Sequence, residues 1–210
     1  MAPPAKRVAP SRRKSTKATP RRAVIVAGVR TPFVRAFREY MLLDTIDLGV
    51  RAVSGLIERM DLRRDDIDGI CWGGVILPGS APNVGREIAL DLRLHGVEGV
   101  TVTRACASGL QAITTAVAAI ERGDADVIIA GGSDSTSNAE VKLPQKLIHT
   151  LAPYAFGKKM TPTDVLGVLS QLTPITELIP KRPRIAERTT GQVMGEAAEE
   201  MAARNGITRP

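Results

Sequence analysis

Cys106 is the best candidate for a nucleophile in this sequence because of its position in the stretch 103–109 (TRACASG). An apolar run with strand character, residues 99–105, leads directly into a periodic pattern that predicts a helix over 106–122, ending at Gly123. The first N–H groups of a helix lack partners within it and carry a partial positive charge. Such groups stabilise a thiolate and can also hold a developing oxyanion.

Small side chains surround this thiol and leave room for an acyl chain: Ala105, Ala107, Ser108 and Gly109. The arrangement parallels the strand–nucleophile–helix elbow of hydrolases, with sulfur in place of oxygen. A cysteine that merely packs is the alternative, since the base that would activate it is not visible in the local pattern. Cys71 lies mid-strand beside Trp72, and there packing is the better interpretation. We predict that a mild alkylating agent labels Cys106 before Cys71.

Metal and disulfide chemistry have little support. Cys71 and Cys106 are the only cysteines, no CxxC occurs, and the two histidines are His95 and His149. This set argues against a zinc site and a disulfide framework, and it favours a reducing, cytoplasmic compartment.

Strand and helix patterns alternate along residues 23–135, which predicts an α/β core of four strands with helices on the faces of the sheet. The predicted strands are 23–29, 67–77, 99–105 and 126–130, and the glycines of 67–77 indicate close backbone approach. The intervening helices are 44–60, which Asp44 can cap, 83–94 and 106–122. Their predicted inner faces are Ile46, Val50, Val53 and Ile57; Val84, Ile88 and Leu92; and Leu110, Ile113, Val117 and Ile120.

Charge is concentrated at the N-terminus. The chain has a net charge of +7, and residues 1–22 hold eight lysines or arginines and no acid. This basic tail is expected to be disordered, as a plain leader or as a mitochondrial transit peptide. The remainder is close to neutral, so a nucleic-acid-binding body is not supported. No apolar run is long enough to span a membrane.

The pattern changes near residue 139. Six prolines occupy 139–190, and eight basic residues lie between Lys142 and Arg188 against three acids, which predicts a separate segment. A last helix is predicted over 192–204.

Five blocks, in order, resemble the N-terminal half of the thiolase family. They are VRTPF (29–33), WGGVILPG with APNVGRE (72–87), RACASGLQA (104–112), GDADVIIAGGSDSTS (123–137) and TTGQVMGEAAEEMAARNGITR (189–209). The resemblance covers 24–209 and is nearest to the long-chain fatty-acid β-oxidation branch. It implies a thiolase-like α/β fold: a βαβαβαβ layered core over 23–138 and part of an inserted loop domain over 139–210.

The resemblance also implies acyltransferase chemistry. The Cys106 thiolate would attack the ketone carbon of a 3-oxoacyl-CoA, release acetyl-CoA and pass the acyl group to a second coenzyme A, or run the reverse condensation. Met194 corresponds to a methionine that lines the acyl site, although Val193 stands where many members have histidine. Coenzyme A is then a substrate and no resident cofactor is implied. Basic groups of the loop segment would suit its phosphates, with a solvated surface as the alternative.

The family's activating histidine and second cysteine lie in a second, similar half, and neither motif occurs in these 210 residues. We therefore expect the chain alone to be inactive. A homo-oligomer and a hydratase/dehydrogenase partner are implied for the full-length form. The alternatives are a catalytically incomplete fragment that only folds or binds a partner, and a related β-ketoacyl condensing enzyme.

Overall fold

The computed structural model describes residues 20–140, 143–171 and 186–209. Its strands are β1 (Gly69–Gly73), β2 (Glu98–Val102) and β3 (Ile128–Gly132). Its α-helices are α1 (Thr45–Met60), α2 (Val84–Asp91), α3 (Ser108–Arg122), α4 (Gln145–Ala155), α5 (Pro162–Gln171) and α6 (Met194–Arg204). The described residues form two compact units that divide between Ala139 and Glu140.

The first unit is built on a parallel sheet with the order β2-β1-β3. In register, Gly69 lies opposite Glu98 on one side and Ile128 on the other. The carboxyl ends of all three strands therefore share one edge, and the loops that follow them meet there. An α/β fold with helices on the faces of the sheet was expected, and this part of the prediction is confirmed.

The two faces of β1 carry different cores because alternate side chains point to opposite sides of a strand. Ile70 and Trp72 join the larger cluster formed with α1 and α2, where Val84 and Ile88 are fully buried. Cys71 points to the other face and packs on α3. The sheet thus lies between layers of helix, and among the described elements α3 covers the face to which Cys71 points.

Helix α1 begins as its sequence predicts. The Asp44 side chain accepts a hydrogen bond from the Asp47 N–H at 2.8 Å, and Asp47 accepts from the Asp44 N–H at 3.0 Å. This reciprocal capping satisfies N–H groups that the helix cannot. The predicted inner face is correct as well, since Val53 is buried and Ile46, Val50 and Ile57 pack against the same cluster.

The predicted strand at 23–29 is wrong. Residues 20–35 have no regular structure, and the side chains of Val24, Ile25 and Val26 are about three-quarters exposed. The β-branched run has strand propensity, but a strand also needs a partner, and none of the described strands pairs with it. The sheet therefore has three strands in the described residues instead of four. The other predicted strands are present with shifted ends, at 69–73, 98–102 and 128–132.

The predicted inner face of α3 is also wrong. Ala112 and Ala116 are the side chains buried against Cys71, whereas Leu110 is 66% exposed and Ile113, Val117 and Ile120 are only partly buried. Small residues let the helix axis come close to the sheet, so the alanine stripe and not the larger aliphatic stripe faces inward. The end of the helix is as predicted, with Gly123 in a left-handed conformation at φ 82°.

Asp68 connects the start of β1 to the start of β3 through hydrogen bonds. We expect this contact to make the stability of the fold depend on pH in the acidic range. Its carboxylate accepts hydrogen bonds from the N–H groups of Val127 at 2.9 Å and Asp126 at 2.7 Å, and they hold the pKa of Asp68 below its ordinary value. A depressed folded-state pKa stabilises the fold above the unfolded pKa, about 4. That stabilisation is lost as pH falls through the folded value.

We therefore expect Asp68→Asn to be less stable than the unaltered chain at pH 7 and to lose part of its acid dependence. Urea unfolding followed by the fluorescence of Trp72, the single tryptophan, measures both effects. An acid limb unchanged in the variant would contradict this role for Asp68.

The second unit holds α4, α5 and α6. Asp164 caps the start of α5: it accepts from the Thr161 hydroxyl and N–H and from Lys158 Nζ at 3.1 Å, and these contacts lower its pKa well below the usual range. The last predicted helix is present, beginning at Met194 instead of residue 192. The disorder predicted for 1–22 falls almost entirely outside the described residues. In the part of the chain that the structure describes, no helix is long and apolar enough to cross a membrane.

Candidate active site at the β2–α3 elbow

Cys106 lies in the connection between the end of β2 at Val102 and the start of α3 at Ser108. The helix was predicted to start at Cys106 itself; it starts two residues later, and Cys106 occupies the tight turn before it. The cysteine is exposed. The thiol is therefore presented next to a helix N-terminus, where the local dipole favours negative charge.

The turn is formed by a backbone conformation that few residues adopt. Ala105 has φ 47°, in the left-handed region, which costs a residue with a Cβ roughly 1–2 kcal/mol. Two backbone hydrogen bonds close the turn, from the Ala107 N–H to the Arg104 carbonyl and from the Ser108 N–H to the Ala105 carbonyl, both 3.1 Å. These two N–H groups bond within the turn, and the oxyanion role expected of the first helical N–H groups stays a prediction.

The Ser108 side chain adds two further hydrogen bonds at the elbow. Its hydroxyl accepts from the Arg104 N–H at 2.8 Å and donates to the Ala105 carbonyl at 2.6 Å. Ser108 is only 3% exposed. Sequence reasoning treated this serine as a small neighbour of the thiol and missed these contacts, which a short hydroxyl side chain at the first residue of a helix could have signalled.

Close backbone packing positions the start of α3. A Cβ added at Gly73, the last residue of β1, would lie 2.5 Å from the carbonyl carbon and oxygen of Ser108 and 2.8 Å from the Gly109 nitrogen. Only a glycine therefore permits this approach. The expectation that glycines in 67–77 mark close backbone contact is confirmed at Gly73.

A cavity of about 780 Å³ opens beside the elbow, within the first unit. Cys106, Ala105 and Gly109 line one side, and Gly131 and residues 27–36 line others. Its volume falls in the range of small-molecule sites, and glycines and apolar side chains make up much of its wall. The thiol thus faces a space that could hold an acyl group.

The polar loop after β3 has a structural role at this cavity. Asp134 Oδ1 accepts from the N–H groups of Val75 at 2.8 Å and Ile76 at 2.6 Å, and Ser133 accepts from the Trp72 indole N–H at 2.8 Å. These contacts fix the loop after β1 against the loop after β3. The Asp134 carboxylate is therefore committed to backbone donors.

Cys71 has a very different environment from Cys106. It is 2% exposed, and burial raises the pKa of its thiol, with a hydrogen bond to Thr115 acting in the opposite direction. A buried neutral thiol reacts slowly because the thiolate is the nucleophile. These environments support the expected labelling order, which stays a prediction.

His95, His149 and Met194 each lie in a different segment of the chain from Cys106. His95 follows α2 and is absent from the described cavity lining, and His149 lies on α4 with its ring 2.6 Å from the Gln145 amide. Met194 is the first residue of α6 and is 68% exposed. It belongs to the second unit, so its role at an acyl site stays a prediction. Within the described residues no group of three His, Cys, Asp or Glu could hold a metal ion.

The basic segment 139–190 is only partly covered by the described residues. Of its eight cations, Lys142, Lys181, Arg182 and Arg184 fall outside the described residues. Lys158 is paired with Asp164 at 3.1 Å and is therefore not a free phosphate ligand. A phosphate-binding role for this segment stays a prediction.

The family follows from comparison with known proteins. The family model described as the thiolase N-terminal domain matches residues 23–210, so the chain belongs to the thiolase family. The 3-ketoacyl-CoA thiolase of Photobacterium profundum is 37% identical over 189 residues, covering 90% of this chain and 43% of that protein. The Shewanella halifaxensis protein of the same name is 34% identical over 203 residues, 94% of this chain and 45% of its own.

Solved structures show the same fold. An acetyl-CoA acetyltransferase of Bacillus anthracis superposes with a TM-score of 0.68 at 24% identity, over 90% of this chain and 43% of that one. A thiolase of Ascaris suum in complex with coenzyme A gives 0.62 at 24% identity, over 82% and 40%. The chain spans less than half the length of these relatives.

Proposed function

We propose that this chain supplies the nucleophile-bearing half of a 3-oxoacyl-CoA thiolase, with Cys106 as the residue that carries the acyl group. The observation that supports this most is the exposed Cys106 thiol at a tight elbow before α3, opening into a cavity of about 780 Å³. Family membership and the names of the curated relatives support the substrate class. The coenzyme A complex of the Ascaris suum neighbour supports coenzyme A as a substrate.

The proposed reaction begins with attack of the Cys106 sulfur on the C3 carbonyl of the substrate. The C2–C3 bond then breaks, its electron pair leaves on C2, and a proton converts this carbanion to acetyl-CoA. The shortened acyl group remains on sulfur as a thioester. A second coenzyme A thiol loses its proton, attacks that thioester and restores the Cys106 thiolate.

Two of these steps need a proton carrier. The titratable side chains in the described cavity lining, besides the thiol, are Arg30, Arg35, Tyr40 and Asp134. Arginine side chains have only hydrogen-bond donors, a tyrosine hydroxyl is a poor base, and Asp134 already accepts two backbone hydrogen bonds. General acid–base help is worth roughly 10²–10⁴-fold. We infer that the base comes from beyond the residues described around this cavity.

Wider features of the proposal follow from the family. A homo-oligomer, a hydratase/dehydrogenase partner and a cytoplasmic location are the arrangements we propose for the complete enzyme. Import into mitochondria, with residues 1–22 as a transit peptide, is the alternative location.

We expect this chain, assayed alone with 3-oxoacyl-CoA and coenzyme A, to show no turnover above a Cys106→Ala control. The physical reason is the missing proton carrier at the cavity. The assay follows loss of the 3-oxoacyl-CoA absorbance. Turnover that Cys106→Ala abolishes would show that this half contains its own base and would overturn the inference of an external one.

A chimera tests the other side of the same proposal. Here the chain is joined to the part of the Photobacterium profundum relative that the match does not cover. Cys106-dependent thiolysis in the chimera supports the proposed function. A folded chimera whose thiolysis survives Cys106→Ala would exclude Cys106 as the acyl carrier.

A further inference from the structure

The Ser108 side chain makes contacts that packing alone would not require. Its hydroxyl is buried and uses both its donor and its acceptor on the backbone of the elbow, to Ala105 and Arg104. Both partners immediately precede Cys106. The hydroxyl therefore bridges the two residues that determine where the chain turns before the thiol.

The residue that Ser108 contacts is the one in the unfavourable conformation. Ala105 has φ 47°, and such a conformation persists only where its surroundings hold it. The Ser108 hydroxyl donates to the Ala105 carbonyl at 2.6 Å, which favours this peptide orientation over an extended one. An extended Ala105 would carry Cys106 away from the start of α3.

The backbone of Ser108 is itself fixed from the other side. The close approach of Gly73 leaves no space for a Cβ between β1 and the Ser108 carbonyl, so the first turn of α3 lies against the sheet. The Ser108 hydroxyl therefore projects from a backbone that is packed against β1. The side-chain contacts that fix the elbow thus come from Ser108 at the start of α3 and not from β2.

We propose that Ser108 is a positioning residue for Cys106: its hydroxyl keeps Ala105 left-handed and thereby holds the Cys106 sulfur at the N-terminus of α3. This inference rests on the proposed function, in which Cys106 is the nucleophile. Ser108 does not touch the reacting atoms. It acts through the backbone of the two residues before Cys106.

The two cysteines provide a test within one molecule. Cys106 is exposed, so its rate of alkylation by iodoacetamide reports the elbow, whereas Cys71 is 2% exposed and is labelled only when the fold opens. Peptide mass mapping at pH 7 gives both rate constants in one experiment. A structural role for Ser108 would speed Cys71 and leave Cys106 unchanged.

For Ser108→Ala we expect the rate constant for alkylation of Cys106 to fall about fivefold, while Cys71 stays protected. Fivefold is about the factor by which a helix N-terminus favours a nearby anion such as a thiolate. Ser108→Thr, which keeps the hydroxyl, should restore the Cys106 rate. Thr114→Ala removes a hydroxyl on the exposed side of the same helix and should change neither rate. Asn83→Ala removes the hydrogen bonds that Asn83 makes to Gly99 and Thr101 of β2, and should speed only Cys71.

An unchanged Cys106 rate in Ser108→Ala would overturn the proposal, whatever Cys71 does. If Ser108→Ala makes Cys71 reactive, Ser108→Thr is the deciding variant. An alkylation rate for Cys106 equal to that of the unaltered chain supports the role of the hydroxyl. A slowed Cys106 rate in Ser108→Thr, with Cys71 still protected, refutes it. Failure of the proposed function looks different. In that case Cys106 of the unaltered chain would react no faster than glutathione under the same conditions.

Discussion

Replacing Gly73 by alanine is expected to destabilise the first unit by about 1–3 kcal/mol, the usual cost of overpacking a close contact. The added methyl would lie 2.5 Å from the Ser108 carbonyl carbon and oxygen. These are backbone atoms of a helix, so no side-chain rotation can relieve the clash, and α3 must move away from β1. Urea unfolding followed by Trp72 fluorescence measures the loss.

Gly55→Ala is the matched control, because it makes the same chemical change at a site with no atom within 4 Å of the added Cβ. Gly55 lies inside α1, where alanine is favoured over glycine by roughly 0.5–1 kcal/mol. The two substitutions should therefore shift stability in opposite directions. Equal stabilities for the Gly73 and Gly55 variants would show that the β1–α3 contact is not as close as described.

Ile88→Ala is expected to cost about 2–5 kcal/mol, the range for truncating a buried aliphatic side chain. Ile88 is 0% exposed and belongs to the cluster that includes Val53, Ile70 and Trp72. Its Cδ1 lies 2.4 Å from where a Cβ on Gly49 would stand, so α1 and α2 meet closely at this side chain. Truncation to alanine leaves a cavity between α1 and α2, and the buried neighbours of Ile88 have little freedom to move into it.

Leu90→Ala controls for the change in helix composition, since Leu90 lies on the same helix and is 52% exposed. Its truncation should change the free energy of unfolding by no more than about 0.5 kcal/mol. Chemical denaturation of both variants, with the same fluorescence probe, gives the comparison. A Leu90 variant as unstable as the Ile88 variant would mean that the buried face of α2 is misassigned.

The features that the sequence predicted well are local ones. The Asp44 cap of α1 and the Gly123 end of α3 depend on residues within a few positions, and both are present. The position of Cys106 between a strand and a helix is equally local. The glycines around Gly73 signalled close approach, although not which atoms they approach.

The features that it missed depend on partners far along the chain. The run at 23–29 has the residues of a strand but no described strand beside it. Which face of α3 is buried depends on how close the helix lies to the sheet. Here the close approach buries Ala112 and leaves Leu110 exposed. The left-handed conformation of Ala105 has no signal in the sequence, because alanine rarely adopts it.

Acceptance of an acyl group by Cys106 can be tested by looking for that group on the protein. Acetyl-CoA is incubated with this chain, and its peptides are mapped by mass. Transfer requires only that the thiolate attack the thioester and coenzyme A leave as its thiolate, so it does not need the carbanion's proton donor. We predict one acetyl group on the Cys106 peptide, none on the Cys71 peptide, and no acetylation in Cys106→Ala. Acetyl on Cys71 alone, or none on a Cys106 that iodoacetamide labels readily, would show that Cys106 is not the acyl acceptor.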